Sequence, residues 1–86
     1  MIIEQFKGST MNKVGRKRLS EAVEYLKYAQ GIIEEVLEME QESLSNIPES
    51  FQDTERVQRM VKISDILEES LSSVEEDIDN LESALE

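Results

Sequence analysis

From Val57 to Leu85 the apolar positions fall at Val57, Met60, Leu67, Leu71, Val74, Ile78, Leu81 and Leu85, with Ser64 taking the one place in the series that is not apolar. The intervals alternate between three and four residues throughout, which is the heptad seam of a helix packed in coiled-coil manner. This predicts a helix over 54–85. Upstream the same period recurs in a wider stripe, with Leu19, Leu26 and Ile33 at one heptad position, Ala22, Ala29 and Val36 at the next, and Val23, Leu37 and Leu44 flanking them. A stripe of that width suits a helix that touches more than one neighbour. It predicts a second helix over 16–44, with Ala22 and Ala29 admitting close approach.

Between the two lies Ser45-Asn46-Ile47-Pro48-Glu49-Ser50, which holds the only proline of the chain. Proline cannot continue the first helix, and it turns Ile47 before it away from helical geometry. The turn is therefore expected at 45–53, with Pro48 opening a short helical turn and Asp53 or Thr54 capping the second helix. Ile47 and Phe51 are expected to plug that end. Residues 1–14 stand apart from the periodic pattern: Gly8-Ser9-Thr10 reads as a break, and Ile2, Ile3 and Phe6 as a short docked element or a partly flexible leader.

Charge fixes the relative direction of the helices. Lys13, Arg16, Lys17 and Arg18 begin the first, Arg56, Arg59 and Lys62 begin the second, and no positive charge lies between Lys27 and Arg56 or after Lys62. Each helix is thus positive at its N-terminus and negative at its C-terminus, against its own macrodipole. Antiparallel pairing sets Arg16, Lys17 and Arg18 toward Glu75, Glu76, Asp77, Asp79 and Glu82, and Arg56, Arg59 and Lys62 toward Glu34, Glu35, Glu38 and Glu42. Exposed pairs contribute only about 0–1 kcal/mol each, so the pattern selects orientation more than it supplies stability. The expected fold is an all-α antiparallel two-helix hairpin.

A lone hairpin leaves Ile32, Met39, Val61, Ile63 and Ile66 in water, and two hairpins forming a four-helix bundle would cover them. These five are the expected homodimer interface. Ser64 in the seam reads either as a tolerated small residue or as a polar marker of register and oligomeric state. The 86 residues contain no Cys, so neither a disulfide nor a thiolate metal site reinforces so small a core, and association is the remaining means.

Chemistry is scarce. Without His the commonest general base is missing, as are the Glu-x-x-His ligands of di-iron bundles. Asp77-Ile78-Asp79-Asn80-Leu81-Glu82 has calcium-loop composition, but it lacks the sixth-position Gly and carries the heptad seam through Ile78 and Leu81. Paired acids such as Glu34-Glu35 and Glu75-Glu76 point about 100° apart on a helix, with nothing to desolvate either. No catalytic residue, metal or cofactor is expected. A formal charge of −11 repels nucleic acid and anionic membrane and attracts basic protein surfaces. No stretch reaches the roughly 18 apolar residues of a membrane span, so a cytoplasmic protein is expected.

The turn sequence Asn46-Ile47-Pro48-Glu49-Ser50-Phe51-Gln52-Asp53-Thr54-Glu55-Arg56 resembles a motif of short, acidic, uncharacterised helical-hairpin proteins of Gram-positive bacteria and their phages. The resemblance spans about 70 residues and departs from the group at 1–14. It implies a hairpin, a phage or mobile-element origin, and nothing catalytic.

Two functions follow as expectations. In the first, Glu34, Glu35, Glu38, Glu75, Glu76 and Asp79 imitate nucleic-acid phosphates and engage a basic groove on a host nuclease or CRISPR effector. In the second, the bundle is a structural or assembly module whose acids only solubilise it.

Overall fold

The computed structural model describes residues 11–86. The expected elements at Ile2, Ile3 and Phe6 lie outside the described residues. The chain forms helix α1 over Lys13–Ser45, a short 3-10 turn over Glu49–Phe51 and helix α2 over Glu55–Leu85. The two helices pack on each other as an all-α hairpin, and there is no strand among the described residues.

α1 begins at Lys13, earlier than the apolar stripe alone places it, because Asn12 caps it: the side-chain oxygen accepts from the Gly15 amide at 2.7 Å. At the far end the Asn46 amide donates to the Glu42 carbonyl at 3.2 Å and the Ser45 hydroxyl to the same carbonyl at 2.8 Å, so terminal carbonyls are satisfied without a left-handed residue. Pro48 is extended (φ −60°, ψ 147°) and directs the chain away from the axis of α1. Thr54 then caps α2, its hydroxyl accepting from the Val57 amide at 3.3 Å and donating to the Phe51 carbonyl at 3.0 Å.

On α2, the seam read from the sequence contains the residues that are removed from solvent: Val57, Ser64 and Ile78 are buried, and Met60, Leu67, Leu71, Val74, Leu81 and Leu85 half-buried. Ser64 sits in this seam at 5% exposure, and no buried side-chain polar atom lacks a partner among the described residues.

α1 corrects the expectation. Its seam runs Leu19, Val23, Leu26, Gln30, Ile33, Leu37, Glu40, Leu44 and Ile47, all buried or half-buried. Val23 at 3% exposure and Leu37 at 9% are its buried centre, while Val36 is 40% exposed. The stripe of Ala22, Ala29 and Val36 therefore flanks the seam. Val23, Leu37 and Leu44, expected at its edge, occupy it. Gln30 and Glu40 fall on the true seam and disguise it.

Two cross-helix contacts define the register. Lys27 Nζ meets Glu82 Oε2 at 3.0 Å and Gln41 Nε2 donates to Glu68 Oε1 at 3.3 Å. Lys27 to Gln41 is two heptads up α1 and Glu82 to Glu68 two heptads down α2, so the helices stay in one antiparallel register without slip. The Lys27 ammonium is held above its ordinary pKa by its hydrogen bond to Glu82 and by the Glu82 charge. A raised lysine stabilises below its unfolded pKa, and that contribution is lost as the pH rises through the folded value, far into the alkaline range.

A candidate acidic interface

Writing the seam residues as heptad positions a and d, all four contacting residues, Lys27, Gln41, Glu68 and Glu82, occupy position e. In an antiparallel pair the e positions of both helices share one flank of the hairpin and the g positions share the other.

On the e flank the rungs are Lys27 with Glu82, Gln41 with Glu68 and, midway between them, Glu34 with Glu75. The central rung therefore carries one acid from each helix. Glu38 and Asp79 stand beside it at position b, on the outer side of the same flank. Glu35 and Glu76, at position f, point further round toward the back of their helices. All six carboxylates are exposed. The register thus gathers Glu34, Glu38, Glu75 and Asp79 from the two helices onto one surface, with Glu35 and Glu76 at its margins.

The basic residues do not neutralise this surface in the way the sequence leads one to expect. Arg56, Val57, Met60 and Ile63 line one groove with Glu40, Ser43 and Ile47, which sets the start of α2 against the last turns of α1. Arg56, Arg59 and Lys62 therefore sit at the turn end of the hairpin, past Glu34, Glu35 and Glu38, and of the four acids expected to face them only Glu42 lies in that last turn of α1. At the open end α1 overhangs α2: Arg16 donates to the backbone carbonyl of Leu85, and Arg18 pairs with Glu21 of its own helix at 2.8 Å. Antiparallel orientation holds, but the charge clusters lie too near the ends to reach the central acids. Lys27, in the middle of α1, makes a cross-helix ion pair with Glu82.

The turn also departs from expectation. Ile47 is half-buried, but Pro48 is exposed and Phe51 is 58% exposed, so Phe51 does not plug the end of the hairpin. It lines an open groove of about 730 Å³ together with Ile47, Val57, Met60 and Ile63, with Glu40 and Arg56 at its edges. The 3-10 turn after extended Pro48 holds the ring to the side of the seam instead of over it.

Of the five residues expected at a dimer interface, Ile32, Met39, Ile63 and Ile66 lie at c and g positions on the second flank and are 46%, 60%, 47% and 50% exposed. Val61, 44% exposed, is at position e on the opposite flank and does not belong with them. Val36 at g and Tyr25 at c, the latter 72% exposed, extend the same apolar surface. The sequence contained their signal, since Tyr25, Ile32 and Met39 recur every seven residues, but it becomes readable only once the seam of α1 is known.

Among the described residues no group of three or more acidic side chains is placed to hold a metal ion, and no helix is long and apolar enough to cross a membrane. Comparison with protein-family models, with curated proteins and with solved structures returns no match to this chain.

Proposed function

We propose that this chain is a non-enzymatic interaction module whose e flank occupies a basic, nucleic-acid-binding groove on a partner protein, in the manner of a phage-encoded inhibitor of a host nuclease or CRISPR effector. The observation that carries this reading is the central rung. The spacing of the flanking contacts puts Glu34 and Glu75 on one flank with Glu38 and Asp79, and the Lys27–Glu82 ion pair lies a full heptad away. Exposed carboxylates gathered from two helices onto one flank, away from the basic clusters, are where a basic partner surface is expected to bind. Rows of carboxylates on two rigid helices supply the closely spaced negative charge that a basic groove binds in DNA or RNA.

The test is capture from a host lysate on immobilised wild-type chain, followed by affinity measurement on the captured protein. Binding is expected to weaken at least tenfold between about 50 mM and about 200 mM salt, and Glu34→Lys/Glu38→Lys/Glu75→Lys is expected to abolish it. Association indifferent to both treatments, but lost in Phe51→Asp, would instead support the assembly module. The exposed phenyl ring and its groove are the observation that favours that second reading.

A further inference from the structure

The c and g flank differs from the rest of the surface in its charge. On α1 its positions are Gly15, Arg18, Ala22, Tyr25, Ala29, Ile32, Val36, Met39, Ser43 and Asn46, without one carboxylate. On α2 they run Arg56, Arg59, Ile63, Ile66, Ser70, Ser73, Asp77, Asn80 and Ala84, where Asp77 is the single acid. In a chain of net charge −11 this is, among the described residues, a long surface on which a second, equally acidic molecule can lie with little repulsion.

The α2 half of the flank is also complementary to itself when reversed. Arg59 and Asp77 lie equally far from Glu68, nine residues to either side, or about 13 Å at 1.5 Å per residue. The same reversal pairs Arg56 with Asn80, and it pairs the branched Ile63 and Ile66 with the small Ser73 and Ser70. On α1, reversal about Gln41, whose side chain meets that of Glu68, pairs Met39 with Ser43. Opposite charges meet, and large side chains meet small ones, about a single centre.

We infer that this flank binds a second copy of the chain. A two-fold axis lying across the face at the level of Gln41 and Glu68 stacks α1 on α1 and α2 on α2, antiparallel, into a four-helix bundle over the turn-proximal part of each hairpin. Each Arg59 then pairs with Asp77 of the second copy. The e flanks remain outermost and open, so this inference does not rest on the proposed function, and either can fail alone.

Sedimentation of the full chain tests it, with helicity followed by circular dichroism. The wild type is expected to sediment at twice the 9.9 kDa of one chain at concentrations on the order of 10 µM. Asp77→Arg sets four arginines against one another, so its dimer dissociation constant is expected to rise at least tenfold. Arg59→Asp/Asp77→Arg restores the opposite pairing and is expected to return within a few-fold of wild type. Arg59 and Asp77 are both exposed, so neither substitution removes a seam contact, and recovery in the double variant reads the pairing itself. A monomeric wild type, or a double variant no tighter than Asp77→Arg, overturns the inference.

Discussion

Ile78→Asp is expected to abolish the helical circular dichroism signal in neutral buffer at room temperature, whereas Ser72→Asp, which adds the same charge to the same helix, leaves it intact. Ile78 is 5% exposed, one of four buried apolar residues among those described, with Val23, Leu37 and Val57. Among the described residues no side chain is wholly sealed from water, so the hairpin has little core to lose. Truncating a buried isoleucine to alanine costs about 2–5 kcal/mol, and a carboxylate in the seam adds the cost of burying an unpaired charge. Against the roughly 3–5 kcal/mol that so small a core supplies, the substitution exceeds what the fold can absorb. Ser72 is exposed at a position of α2 that faces neither helix nor the c and g flank. Retained helicity in Ile78→Asp would mean that the seam of α2 is elsewhere.

Gly31→Ala is expected to stabilise the chain by about 1 kcal/mol, raising the melting temperature by about 4–8 °C in thermal denaturation. Gly31 lies within α1, exposed, and a methyl group there would meet nothing within 4 Å. The gain comes from restricting the unfolded chain at a position already helical in the folded one. Gly31 occupies position b, away from the c and g flank, so the gain persists when a second copy is bound. Gly15 is the contrast. A Cβ there would lie 2.9 Å from Met11 Cγ and 3.2 Å from the Asn12 side-chain oxygen that caps α1, so Gly15→Ala offsets its propensity gain by disturbing the cap. A melting temperature unchanged or lowered in Gly31→Ala would place a neighbour against that position.

What was legible in the sequence depended on how cleanly each heptad was written. α2 carries an apolar residue or Ser64 at every seam position, and its buried face could be read directly. α1 has Gln30 and Glu40 in the seam and Ala22, Ala29 and Val36 just beside it, so composition pointed to a stripe rotated by one residue. Only cross-helix contacts at Lys27 and Gln41 reveal the true face. The rotation changes the surface: it separates Val61 from Ile63 and Ile66, and it assembles Tyr25, Ile32, Val36 and Met39 on one flank. Charge segregation indicated the antiparallel direction correctly but not the level at which residues meet, because that level depends on how many residues the turn consumes. The exposure of Phe51 was likewise not readable, since it follows from the extended conformation at Pro48 and the 3-10 turn after it.

Both proposed surfaces follow from a single register, which puts acids on the e flank and leaves the c and g flank nearly free of them. That register can be measured in a chain that contains no cysteine of its own. Gln41→Cys/Glu68→Cys, treated with a short bismaleimide at high dilution, is expected to cross-link within one chain rapidly and almost completely, while Gln41→Cys/Glu82→Cys, displaced by two heptads or about 21 Å, is expected to stay open. Equal cross-linking of the two pairs, or preference for the displaced pair, would contradict the register and with it both faces of the hairpin.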